Sequence, residues 1–267
     1  MKTKLLFILI VIFTSNSFAQ RIAILGAMPE EVQLLESQLE HPKTKNILGF
    51  EFKTGKLNGR KVVIGETGIG KVNASVTTTL IIKQFAPKVI IFTGVAGAVN
   101  PDLNQGDILI GKRLSYHDYG RLSNEGFLPN PTRNPHTKKQ NPQYFLADSS
   151  LIFLAIQVSQ NIDLQKVTPK SPAPHISTGT IVTGDSFVAS STAVDSFRKI
   201  YQADATEMEG AAVAQICFQQ NIPFLVIRSI SDKANEAAPL DFQAFKKIAS
   251  DNSATLVKAI IQQINFN

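Results

Sequence analysis

Short apolar runs that end in Gly, Asp or Glu alternate with stretches of helical period along most of this chain, and no other feature constrains its fold as strongly. "RIAILG" reads as a buried strand, and "PEEVQLLESQLE" opens with a first-turn proline and spaces its apolar residues as a helix does. "GFEFKTGKLNGRKVVIGE" predicts a hairpin turning at Asn58-Gly59. The helix "VNASVTTTLIIKQF" and the strand "KVIIFTGVAG" follow, and the cycle then repeats. Strands are expected at "DILIGKRLSY", "ISTGTIVTGDSF", "DATEMEG" and "PFLVIRSISD", with helices at "SSLIFLAIQVSQ", "STAVDSFRKIY", "AAVAQICFQQN" and from Asp241 to Ile264. Such alternation marks an α/β domain built round a sheet. Neither an internal repeat nor a shift of composition divides residues 20–267, which are therefore expected to form one domain.

Two segments stand outside the pattern. The first nineteen residues combine a basic start, "MKTK", with the apolar "LLFILIVIF" and a Ser-x-Ala step, which predicts a signal peptide cleaved after Ala19 and an exported, periplasmic or secreted protein. The apolar run is well short of the roughly 20 residues that a spanning helix needs, so no membrane anchor is expected after cleavage. Residues 119–146 are rich in proline, asparagine and lysine without apolar period, and read as a long loop.

Charge and cysteine content exclude several classes. Without Lys2 and Lys4 the chain carries 25 basic against 21 acidic side chains, a formal +4. The basic residues gather in "KRLSYHDYGR" and "PTRNPHTKKQ", which read as solvated loop, and no nucleic-acid partner is expected. The single cysteine, Cys217, lies on an apolar helical face, so it forms no intrachain disulfide or cysteine metal cluster and is expected in the core.

Several predicted strands finish in polar residues: "FTGVAG", "VTGDSF", "EMEG" and "SISD". Open α/β sheets bind ligands at the carboxyl ends of their strands. Glu207 and Glu209, two apart on a predicted strand, are expected to project from one face. Their carboxylates suit a ligand rich in hydroxyl or amino groups held without a metal; equally, Glu209 suits the amino end of the helix that follows.

In combination, "AILGAMPEEVQLL", "GIGKVNAS", "TGVAGAV", "GDILI", "YHD", "TGDSFV", "EMEGAAVAQIC", "PFLVIRSISD" and "DFQAF" resemble, in order and register, the 5′-methylthioadenosine/S-adenosylhomocysteine nucleosidases of the purine nucleoside phosphorylase superfamily. The resemblance implies a three-layer α/β/α sandwich around a mixed, partly closed sheet, a homodimer, no cofactor and no metal. It implies hydrolysis of the N-glycosidic bond of adenosine thioethers to adenine and the thioribose. By position Glu31 is similar to the family's water-activating base, Asp232 to its general acid at the purine, and Glu209 to the carboxylate that binds the ribose hydroxyls. Phe187 matches the residue stacked on adenine, Met208 the residue under the sugar, and Ile69 and Phe242 the 5′-substituent pocket. Val188, Ser231 and Arg228 complete the implied substrate-binding set.

That chemistry agrees with the residue types. Adenine leaves readily only when a ring nitrogen is protonated, a task for a neutral carboxylic acid, and the sugar's developing positive charge favours a nearby carboxylate. Val95 departs from the serine common at its place and brings no hydroxyl to the water, Pro29 replaces an acidic residue, and the 119–146 loop differs from the compact family loop. Another purine nucleoside or futalosine-type hydrolase, a phosphorylase using Arg228, and a nucleoside-binding protein without turnover are the alternatives.

Overall fold

The structure, a computed structural model, describes residues 20–266, so the expected signal peptide lies outside the described residues. Nine strands follow in the order β11(Ala205–Glu207), β10(Ile176–Thr183), β6(Ile108–Tyr116), β12(Phe224–Asp232), β5(Val89–Ala98), β1(Ile22–Gly26), β4(Arg60–Glu66), β3(Phe50–Leu57) and β2(Glu40–Ile47), with the short β9(Phe145–Leu146) added to β6. Parallel and antiparallel pairings are mixed, and the sheet is partly closed because β11 pairs both with β10 and with β5.

β5 is the branch point, and the branching makes the site. Along one edge it pairs with β12 almost throughout. Otherwise Val89–Phe92 pair with β1, while Gly97 and Ala98 pair with β11. Between these two partners Thr93 to Ala96 are left without a strand, a switch point of the kind at which α/β sheets bind ligands.

Helices cover the sheet on both sides. α6(Ala238–Gln263) packs on β5 and β12 and gathers α1(Pro29–Glu36) and α3(Ser149–Ser159), whereas α2(Lys71–Phe85) packs with α5(Gly210–Gln220). α4(Ser191–Tyr201) lies beside β10. The β1, β4, β5 and β12 strands are buried on both faces, which is why they read as unbroken apolar runs. Cys217 is fully buried in the core, as expected.

The Asn58-Gly59 hairpin is present, with φ of 51° and 74° at its two turn residues, as its strand twist requires. Three expectations need correction. The helix from Pro29 ends at Glu36 instead of reaching Glu40, which opens β2, an edge strand whose side chains are nearly all exposed and which therefore has no apolar alternation to betray it. The loop of residues 119–146 contains a hairpin, β7(Gly120–Ser123) with β8(Gly126–Pro129), and β9. Strand β11 stops at Glu207, so Glu207 and Glu209 do not share a strand face; Glu209 is instead the N-cap residue of α5.

Candidate active site

A cavity opens beside the unpaired stretch of β5. Nine of the ten expected site residues line it: Glu31, Ile69, Phe187, Val188, Met208, Glu209, Ser231, Asp232 and Phe242. The tenth, Arg228, is fully buried and reaches the site from below, its guanidinium 4.1 Å from the centre of the Phe92 ring.

Glu31 is delivered by the start of α1. Pro29 occupies the first turn, where its missing N–H costs nothing, and Glu31 Oε2 accepts from the freed N–H groups of Ala27 (2.5 Å) and Met28 (3.0 Å). Its other oxygen accepts from the Val95 N–H at 2.9 Å, in the gap between β1 and β11. Val95 thus positions the carboxylate through its main chain, which any residue there can do. Burial pushes the Glu31 carboxyl above the usual glutamate range, against the opposing pull of Arg228 and the three N–H donors. Gly94 keeps this corner open, since a β-carbon there would sit 2.3 Å from Arg228 Nη1 and 2.5 Å from Glu31 Oε1.

Glu207 and Glu209 divide the space around Arg228. Glu207 Oε2 takes Arg228 Nη2 at 2.5 Å and the N–H groups of Glu209 (3.0 Å) and Gly210 (2.7 Å), while Thr183 donates its hydroxyl to Oε1. It is Glu207, then, that complements the amino end of α5. Glu209 accepts from the Gly70 N–H at 2.8 Å and keeps its second oxygen 3.6 Å from Arg228 Nη2. Burial first, and the charge of Glu207 beside it, push the Glu209 carboxyl up to about 8 despite Arg228.

Asp232 ends β12 opposite Gly97. It accepts from the Ser231 hydroxyl at 2.7 Å and the Ala234 N–H at 2.8 Å, and burial raises its carboxyl above the usual aspartate value in spite of both. Phe187 and Phe242 meet edge to face, with ring centres 5.6 Å apart, and are partly exposed at the mouth. Lys71 and Asp185 stand near the lining residues Ile69 and Ser186 in the chain; the Lys71 amine lies 2.6 Å from Asp118 and 3.6 Å from Asp185, while Asp185 accepts the Lys71 N–H.

Glu207 and Thr206, both on the cavity wall, were given no role by the sequence, and the N–H donors of Val95 and Gly70 carry no side-chain signal at all. For Glu207 the signal was there, since a second carboxylate next to a helix start demands a partner and Arg228 was at hand on a buried strand. Among the described residues no group of three His, Cys, Asp or Glu is placed to hold a metal, and no helix is long and apolar enough to cross a membrane.

The phosphorylase superfamily model matches residues 21–262. The 5′-methylthioadenosine/S-adenosylhomocysteine nucleosidase of Staphylococcus aureus (strain JH9) is 40% identical over 244 residues, 91% of this chain and all of that relative. The crystal structure of the Neisseria meningitidis nucleosidase of that name, in complex with methylthio-immucillin-A, superposes with a TM-score of 0.81 at 36% identity, covering 92% of this chain and 100% of the other. Futalosine hydrolase of Helicobacter pylori superposes at 0.79 with 32% identity, over 92% of this chain and 99% of its own.

Proposed function

The chain belongs to the 5′-methylthioadenosine/S-adenosylhomocysteine nucleosidases of the phosphorylase superfamily, N-glycosidic hydrolases, and from that premise we propose that its cavity splits adenosine thioethers by a base, an acid and a sugar-binding carboxylate. The observation that carries the assignment of roles is the anchoring of two buried carboxylates on one strand. Glu31 is fixed to the Val95 N–H, and Asp232 overhangs Gly97, two residues or about 7 Å further along β5. That spacing gives room for a water at Glu31 and a purine at Asp232, with the anomeric carbon between them.

Asp232, whose carboxyl burial raises towards the protonated form, gives its proton to N7 of the base, so that the bond from C1′ to N9 breaks with adenine leaving neutral. Positive charge grows on the sugar, whose hydroxyls hydrogen-bond to Glu209, and the ionised form of that carboxyl stabilises the charge. Water adds to C1′ as Glu31 takes its proton, and solvent returns one proton to Asp232 and removes one from Glu31. Phe187 supplies a face for the base, Val188 and Ser231 border it, Met208 lies under the sugar, and Ile69 and Phe242 receive the 5′-thioether. Phosphate is a poor substitute for the water, because among the described residues no basic side chain lines the cavity and Arg228 is committed to Glu207.

The same proposal has the enzyme exported and working as a homodimer. "MKTK" with "LLFILIVIF" and the start of the family match at residue 21 support the first. For the second, Leu122 and Leu128 of the β7–β8 hairpin stand 81% and 52% exposed, apolar surface suited to a second copy.

Incubation of the mature chain with methylthioadenosine, S-adenosylhomocysteine, adenosine, inosine and futalosine, with and without phosphate, followed by chromatography, tests the reading. Adenine from the two thioethers at a rate indifferent to phosphate is expected. Release only in phosphate, release from futalosine alone, or no release would each contradict it.

A further inference from the structure

Among the described residues that line the catalytic cavity, Thr206 alone has a buried side-chain polar atom without a hydrogen-bond partner. The residue is 5% exposed, and its Oγ1 is closed off from solvent and makes no hydrogen bond to the protein. A buried hydroxyl left unpaired is unfavourable, and a valine of the same shape would fill the position without that defect. A polar atom in such a place on a cavity wall points to a partner that arrives with the ligand.

The sheet register says where that partner lies. Gly97 of β5 pairs with Thr206 of β11 on one side and with Asp232 of β12 on the other, so the three residues form one row across three strands. Residues paired in register direct their side chains to the same face. Gly97 contributes none, and a β-carbon there would come within 2.8 Å of Asp232 Oδ1. The row is thus a slot floored by glycine and walled by a carboxyl group on one side and a hydroxyl on the other, its walls two strand spacings, about 9.5 Å, apart.

We infer that the Thr206 hydroxyl is a specificity-determining contact to the purine, donating to N3, an inference that rests on the proposed placing of the base against Asp232. With N9 bound to the sugar and N7 facing Asp232, N1 and N3 are the ring nitrogens left to accept. Thr206 immediately precedes Glu207, Met208 and Glu209, on the sugar side of the cavity, and N3 is the one that flanks the glycosidic bond. A staggered turn about Cα–Cβ brings Oγ1 to the slot, and no protein group bonds it to hold it back. The contact selects purines with an acceptor at that position.

Calorimetric binding of adenine and 3-deazaadenine to wild type, Thr206→Val and Thr206→Ser tests it. Wild type and the serine variant prefer adenine by about fivefold to tenfold, the valine variant binds the two alike, and its adenine affinity falls by the same factor. The valine variant melts at or above the wild-type temperature, because the hydroxyl it lacks is unpaired in the empty protein. A valine variant that holds adenine as tightly as wild type, or that retains the preference over 3-deazaadenine, overturns the inference. Failure of wild type to hydrolyse any adenosine thioether would instead overturn the proposed function, and the deazaadenine comparison would still read Thr206 alone.

Discussion

Glu207 and Arg228 form a buried ion pair beneath the catalytic cavity, Nη2 to Oε2 at 2.5 Å, with side chains 3% and 1% exposed. The pair explains why two glutamates one residue apart do opposite things. Glu207 spends its oxygens on Arg228, Thr183 and the first N–H groups of α5, while Glu209 keeps an oxygen free of short protein contacts for a ligand.

Truncating the two glutamates should therefore separate stability from activity. Glu207→Ala leaves the buried Arg228 without its hydrogen-bonded ion-pair partner, with only Glu209 at 3.6 Å beside it, and should lower the unfolding free energy by about 3 kcal/mol in a urea titration. Glu209→Gln should change that free energy far less and instead reduce kcat/KM for every nucleoside, since the sugar is common to all of them.

The raised carboxyl of Glu209 also gives stability a pH dependence. A glutamate in the unfolded chain titrates near 4.5, and folded Glu209 near 8, so between those values the folded protein holds a proton that the unfolded chain has released. Stability must then fall as pH rises through that window and level off above it. Thermal melts from about pH 5 to about pH 8 should show a declining midpoint in wild type and a shallower decline in Glu209→Gln.

Strands such as "KVIIFTGVAG" and "PFLVIRSISD" were legible because burial on both faces leaves an unbroken apolar signature, and Asn58-Gly59 because positive φ at both positions selects those residues. The polar edge strand Glu40–Ile47 was not, since its side chains face solvent and its sheet bonds come from the main chain, which has no sequence signature. Site side chains were legible as carboxylates and aromatics at strand ends. What was hidden is the closure that joins β11 to β5, because a two-residue pairing between segments more than a hundred positions apart leaves no local pattern. With it were hidden the end of β11 at Glu207, the ion pair and the Thr206–Gly97–Asp232 row.

Protonation of the leaving group distinguishes Asp232 from its neighbours. Asp232→Asn should lower kcat on methylthioadenosine by about 100-fold or more, and much less on a nitrophenyl riboside, whose leaving group departs without a proton. Equal losses on both substrates, measured side by side, would leave Asp232 a binding residue only.

Glu31 bears the central claim, that this cavity activates water. Glu31→Gln preserves side-chain volume and an oxygen for the Val95 N–H but removes the proton acceptor. Single-turnover release of adenine from methylthioadenosine, followed beside the affinity for adenine, tests it most directly. The variant should bind adenine as wild type does and release it at least about 100-fold more slowly; release at the wild-type rate would show that the base is elsewhere.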